Sequence, residues 1–242
     1  VLTLHTFPGV WGLTSVSPFC TKLETWLRLA GLDYAAKAFN PRTSPKGKAP
    51  YVHLDGAYLA DSQLVLERLT VERGVRLDAG LTEAERSRGH ALRRMLEEGT
   101  YFALCYERWQ REEGWATYRR AFRALFPPGL RAVLPTVIRR DMLRALKAQG
   151  TGRHAYDVVQ AMLRADMGAL AAELGDKAFL FGAAPCSFDA VAFAFVEGLA
   201  GFPVESEART FVTSHPALSA YLERMRARCF AKGPALGRLA VG

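Results

Sequence analysis

Cysteine is scarce in this 242-residue chain, and the four that occur, Cys20, Cys105, Cys186 and Cys229, lie far apart with no Cys-x-x-Cys pair. That spacing argues against a zinc cluster and against a disulfide framework, so no metal site is expected and the thiols are expected to be reduced. Long apolar runs are missing too. Half of the residues are hydrophobic, yet no run approaches the roughly 20 residues that cross a bilayer, so no transmembrane segment is expected. The chain begins without a basic stretch, an apolar core and a small-residue cleavage site, so a signal peptide is not expected, although Val1 can follow a removed segment. Cytoplasm is the expected setting. Internal repeats and low-complexity linkers are absent, and no recognised nucleic-acid module is present.

Acidic residues are few in one segment only. Residues 119–153 hold nine Lys or Arg against the single acid Asp141, a net +8 that equals the net charge of the whole chain. Without interleaved aromatics this reads as a solvated arginine-rich helical surface, with docking of an anion or an acidic partner as the alternative, and nucleic acid is not expected as a partner.

What is present divides near residue 80. The first 78 residues alternate strand-like and helix-like patterns, whereas residues from 82 to 242 are almost continuously helical in period. "VLTLHTF" alternates as a strand and "PGVWGLTSVSP" reads as a loop. Residues 17 to 30 then form a helix, with Ser17 as N-cap, Pro18 in the first turn, Phe19, Leu23, Trp26, Leu27 and Ala30 on one face, and Gly31 as the stop. "LDYAAKAF" gives a second strand, and "NPRTSPKGK" has too many turn residues for a helix. Two short strands flank Asp55 and Gly56, and "SQLVLERLTVERG" returns to helical period. The order β-α-β-x-β-β-α is thioredoxin-like, with a mixed four-stranded sheet. In the second part Leu92, Met95, Leu96, Phe102 and Leu104 mark one long helix, and further helices build an all-α bundle.

The order of "SPFCTKLETWLRLAG", "PKGKAPYVHLDG", "LADSQLVLERL" and "FLFGAAPCSFDAVAFA" resembles the glutathione transferase superfamily, and within it the branch related to metaxin and failed-axon-connections proteins. The resemblance spans nearly the whole chain. It implies a thioredoxin-like N-terminal domain, an all-helical C-terminal domain, glutathione as cosubstrate in the cleft between them, and a detoxifying transfer to small hydrophobic electrophiles. Homodimerisation stays open. A non-catalytic interaction module of metaxin type is the competing function.

A glutathione thiol must be held as a thiolate, which needs a donor and positive potential beside the sulfur, and a helix N-terminus offers both. Ser17 stands there as the candidate donor, or as an N-cap only. Cys20, one turn in, is the second catalytic candidate, or a small apolar residue packed under the helix. Ser17 occupies the place of the first cysteine of a Cys-Pro-x-Cys pattern, so an intramolecular dithiol cycle is not available.

By the resemblance, Ala49 and Pro50 form the family's cis-proline turn, whose backbone pairs with the cysteinyl unit; by residue type alone Pro50 is an edge-strand proline. Ser62 takes the γ-glutamyl carboxylate and Asp61 lies near its ammonium group, or one of the two only caps the helix; Lys48 reaches the glycyl carboxylate, or is an exposed solubilising lysine. Trp11, Tyr101, Tyr106 and Trp109 wall the electrophile pocket, or pack in the core. The family's capping box is altered, because Cys186 stands three residues before Asp189. His5 and Phe7 stand in the first strand segment where several classes place an activating tyrosine, which leaves Ser17 as the main candidate.

Overall fold

The computed structural model describes residues 1–126 and 128–239. Four strands, β1 (Thr3–Thr6), β2 (Ala35–Ala38), β3 (Tyr51–Leu54) and β4 (Ala57–Ala60), form one sheet in the order β2-β1-β3-β4. β1 runs parallel to β2 and antiparallel to β3, and β3 is antiparallel to β4. The parallel pair needs a crossover, which α1 (Pro18–Leu29) supplies; the tight turn at Asp55 and Gly56, both at positive φ, closes the hairpin. α2 (Ser62–Glu72) returns over the same face, where Leu4, Val52 and Leu54 of the sheet meet Leu23, Trp26, Leu27, Val65, Leu66 and Leu69. No helix forms between β2 and β3.

The chain is helical after α2. α3 (Glu83–Arg94) starts on a capping box made by Thr82 and Glu85. One continuous helix was expected here. The structure instead runs through a π-helical turn (Met95–Thr100), α4 (Tyr101–Cys105) and a second π-helical turn (Tyr106–Gln110). Each π turn inserts residues relative to the 3.6 period, which rotates the side chains that follow, and the hydrophobic pattern alone does not register that shift. Then come α5 (Glu112–Ala124), α6 (Leu134–Gln149), α7 (Tyr156–Leu174), α8 (Ser187–Ala200), α9 (Glu207–Ser214) and α10 (Pro216–Phe230). Among the described residues no helix is long and apolar enough to cross a membrane.

α8 is apolar on every face and is correspondingly buried along nearly its whole length. Its start answers the altered capping box: the Asp189 carboxylate accepts the Cys186 N–H at 2.9 Å and the Cys186 thiol at 3.2 Å, together with the Leu180 N–H and the Tyr221 hydroxyl. Ser187 does not cap in place of Cys186. Its hydroxyl accepts Trp26 Nε1 from α1 at 3.1 Å. α1 and α8 pack along each other, so α1 lies between the sheet and the helical bundle.

The loop of residues 7–17 leaves β1 and leads into α1, and it is tied to the helical part. Trp11 and Gly12 turn at positive φ, and Gly9 approaches the chain so closely that a Cβ there would meet the Leu13 carbonyl at 2.2 Å. Residues near the C-terminus lie against it, with Gly9 N–H donating to Gly237 and Leu239 N–H to the Gly9 carbonyl. Glu197 of α8 accepts the Thr14 N–H and hydroxyl, each at 3.0 Å.

Burial raises the Glu197 carboxyl to about 7, against the Thr14 donors and the Arg226 guanidinium, which pull it down. In the unfolded chain it titrates near its ordinary 4.5. Between these values the folded protein keeps a proton that the unfolded chain has released, so the stability from this group is complete below the lower value and is lost as the pH rises through the upper one. Melting temperature is therefore expected to fall between about pH 5 and 8, and Glu197→Gln to flatten that part of the profile. Equal pH slopes in the two proteins would refute the assignment.

Candidate functional site

The sheet register gathers the candidate residues at one end. His5 faces Tyr51 and Tyr51 faces Ala60, so the end of β1, the start of β3 and the end of β4 coincide. The loop carrying Ser17 leaves from the first, Ala49 and Pro50 enter the second, and Asp61 and Ser62 leave the third. A bond from Lys22 Nζ in α1 to Gln63 Oε1 in α2, 2.8 Å long, holds the first turns of the two helices side by side.

Ser17 is the N-cap of α1, in extended conformation, but its side chain makes no capping bond. Its N–H is taken by Ser15 Oγ at 3.3 Å, and Ser15 in turn donates to the Phe7 carbonyl at 2.9 Å. The residue is half-buried, and its hydroxyl stands beside the free N–H groups of a twelve-residue helix. Cys20 is sealed beneath it. Burial raises that thiol above its ordinary value, although the hydroxyls of Thr6, Ser17 and Ser15 and the backbone N–H of Phe7 pull the other way. All four cysteines are free and buried.

The Ala49–Pro50 bond is cis. Asp61 sits at φ 82° and ψ 115°, a region that non-glycine residues seldom occupy, and it is Asp61 that caps α2, accepting the Gln63 and Leu64 N–H groups at 3.0 and 3.4 Å. Ser62 is thereby relieved of the capping duty. It is buried at the first helical position, and its hydroxyl makes no hydrogen bond among the described residues. The Lys48 side chain is exposed, and the backbone of Lys48 is bridged by Ser44 Oγ. Lys46, not singled out in the sequence, is the lysine that approaches Asp61, at 3.6 Å. Two lysines flank Gly47, both exposed, and sequence carries no sign of which one lies near Asp61.

The four aromatics expected to wall one pocket are separated. Tyr101 is partly exposed and packs on Phe19, two residues after Ser17, with ring centroids 4.9 Å apart. Trp11 is partly exposed too, against Tyr118 and Phe202. Tyr106 and Trp109 lie inside the helical core, Trp109 among Trp115, Tyr118 and Phe122, which takes both off the open wall. The second π turn carries them, and its extra rotation directs this stretch into the bundle. Two further buried charges at the site, Lys22 and Arg108, escaped the sequence reading because their partners come from distant parts of the chain.

Comparison with known proteins agrees with this layout. The model of the glutathione S-transferase N-terminal domain matches residues 18–114, and that of the C-terminal domain residues 163–225. The chain is 32% identical to the isoprene-epoxide–glutathione S-transferase of Rhodococcus sp. (strain AD45), over 93% of this chain and 98% of that protein. It is 29% identical to Failed axon connections of Drosophila melanogaster, over 95% of this chain but only 58% of that longer protein. Among solved structures, a β-etherase from Sphingobium sp. strain SYK-6 superposes with a TM-score of 0.64 at 17% identity, over 93% of this chain and 95% of that one.

The burial of Cys20 has a direct consequence. A thiol raised by desolvation and closed to solvent reacts slowly. In a titration with a thiol-reactive dye the native protein is expected to leave Cys20 unmodified while the denatured chain labels at all four cysteines. Rapid native labelling at Cys20 would restore it as a nucleophile.

Proposed function

The chain belongs to the glutathione S-transferase family, and from that premise we propose that it binds glutathione at the shared end of β1, β3 and β4 and activates its thiol at Ser17 for attack on a small hydrophobic electrophile. The observation that carries this reading is the Ser17 hydroxyl. It heads α1, is free of any capping bond, and has its own backbone N–H fixed by Ser15, so it can donate to a thiolate that the helix N-terminus also attracts.

The peptide fits the remaining positions by its chemistry. The backbone around Ala49 and the cis Pro50 can pair with the cysteinyl unit as a short strand. At α2, the unbonded Ser62 hydroxyl and the Ser62 N–H would take the γ-glutamyl carboxylate, with the outer oxygen of Asp61 toward the ammonium group. Lys48 is exposed and free to meet the glycyl carboxylate. Tyr101, with Phe19 against it, and Trp11 supply apolar surface for the electrophile.

An epoxide suits such a site, and the Rhodococcus relative bears that substrate class in its name. In the proposed step the thiolate forms a bond to a ring carbon, the carbon–oxygen bond of the ring breaks, and the released alkoxide takes a proton from water. Four reduced, buried thiols fit a cytoplasmic setting.

Ser17→Ala is expected to lower conjugation at least about tenfold, which is about 1.4 kcal/mol in the barrier, with little change in glutathione affinity. Ser62→Ala should lose one charge-assisted hydrogen bond and weaken glutathione about ten- to a hundredfold in a calorimetric titration, while Asp61, the actual cap, preserves the helix. A wild-type protein that binds no glutathione would leave the non-catalytic interaction module as the function.

A further inference from the structure

Arg108 lies on the second π turn with only 4% of its surface exposed. One guanidinium nitrogen donates to the Val16 carbonyl at 2.9 Å and another to the Gly198 carbonyl of α8, also at 2.9 Å. Among the described residues its buried Nε–H has no acceptor and no carboxylate forms an ion pair with it. The faces of Phe202 and Tyr118 stand 5.5 and 5.9 Å away. A positive guanidinium is thus enclosed here among carbonyl dipoles and ring faces. A buried charge in that condition calls for an anion.

The groups around it do not provide one. Cys20 from α1 is raised by burial, Cys105 from α4 is raised to about 11 and Tyr118 from α5 to about 12, both by desolvation, and Tyr101 lies well above its ordinary value, chiefly through the neighbouring Cys105. All four stay neutral near pH 7. Glu197, next to Gly198, turns its carboxyl to Thr14 and toward Arg226. On Arg108's own turn, Glu107 is taken by Gln160 and Arg111.

Val16, whose carbonyl Arg108 holds, directly precedes Ser17. We propose that Arg108 is a positioning residue for thiol activation: it fixes the peptide that leads into Ser17, and its unmatched charge favours the thiolate over the thiol of glutathione bound there. This rests on the reading that Ser17 receives glutathione. It adds a second source of thiolate stabilisation, supplied by the helical domain across the domain boundary, to the hydroxyl and helix N-terminus of the first.

The test is an ultraviolet pH titration of the thiolate of bound glutathione in the wild type, Arg108→Gln and Arg108→Lys, with kcat and KM measured across the same pH range. Arg108→Gln is expected to raise the titration midpoint by about one pH unit, so that kcat at low pH falls about tenfold and recovers at high pH, while KM for glutathione changes less than about threefold. Arg108→Lys, which keeps the charge, should restore most of the low midpoint. A folded Arg108→Gln protein with an unmoved midpoint overturns the proposal. If that variant does not fold, Arg108→Lys decides: a midpoint equal to that of free glutathione overturns it, and one near the wild type supports it. A wild type with no glutathione thiolate signal removes the Ser17 reading and this one together, whereas a depressed wild-type midpoint untouched by Arg108→Gln removes only the role of Arg108.

Discussion

A helix enclosed by protein on every side must find a partner for each polar group it carries, and α1 is in that position. Lys22, 1% exposed, places its ammonium 2.5 Å from Glu97 on the first π turn and 2.8 Å from Gln63 on α2. Desolvation lowers the lysine pKa and the Glu97 carboxylate raises it, with the first effect the larger. Glu97 is held in turn by Arg93 at 2.9 Å. Glu24, equally buried, accepts from Arg28, Tyr34 and the N–H of Ala235, and Trp26 reaches Ser187. Removing one member of such a buried pair costs about 3–5 kcal/mol, because the other is left uncompensated. The two domains are therefore fastened through α1, and the relative placement of its N-terminus and that of α2 follows from the same contacts.

The loop in front of α1 obeys a similar rule. Its backbone is irregular, so its N–H and carbonyl groups cannot be satisfied within the sheet. The helical domain provides the partners: Glu197 for Thr14, Arg108 for Val16, and the segment around residues 237–239 for Gly9. The loop that carries Ser17 is thus held by groups that lie between about ninety and two hundred and thirty residues away in sequence. A thiol-activating hydroxyl placed in this way would inherit both the rigidity and the charge of the helical domain.

Much of the fold was legible. The switch from period 2 to period 3.6, the Ser-Pro start of α1 and the Asp-Gly turn each rest on local physics, and the four strands, α1 and α2 follow from them. Ser17 at the head of α1 and Asp61 and Ser62 at the start of α2 follow for the same reason, whereas the Ala49–Pro50 turn before β3 was legible only through the family resemblance. The pocket wall was less legible. Tyr106 and Trp109 share the aromatic character of Tyr101, but the π turns that rotate them inward come from backbone hydrogen bonding that residue types do not announce.

The sequence by itself determined the strands, α1, α2 and their order, because strand alternation, helix caps and turn residues act over a few neighbouring positions. Only the tertiary structure decided that Asp61 caps α2 and leaves the Ser62 hydroxyl free, that Lys46 approaches Asp61, and that Lys22, Glu197 and Arg108 are withdrawn from water at the domain boundary. A charged residue in sequence reads as a surface residue, since burial of its charge is favourable only when a partner stands at the right distance. That partner is supplied by packing between domains, where separation along the chain carries no information about separation in space.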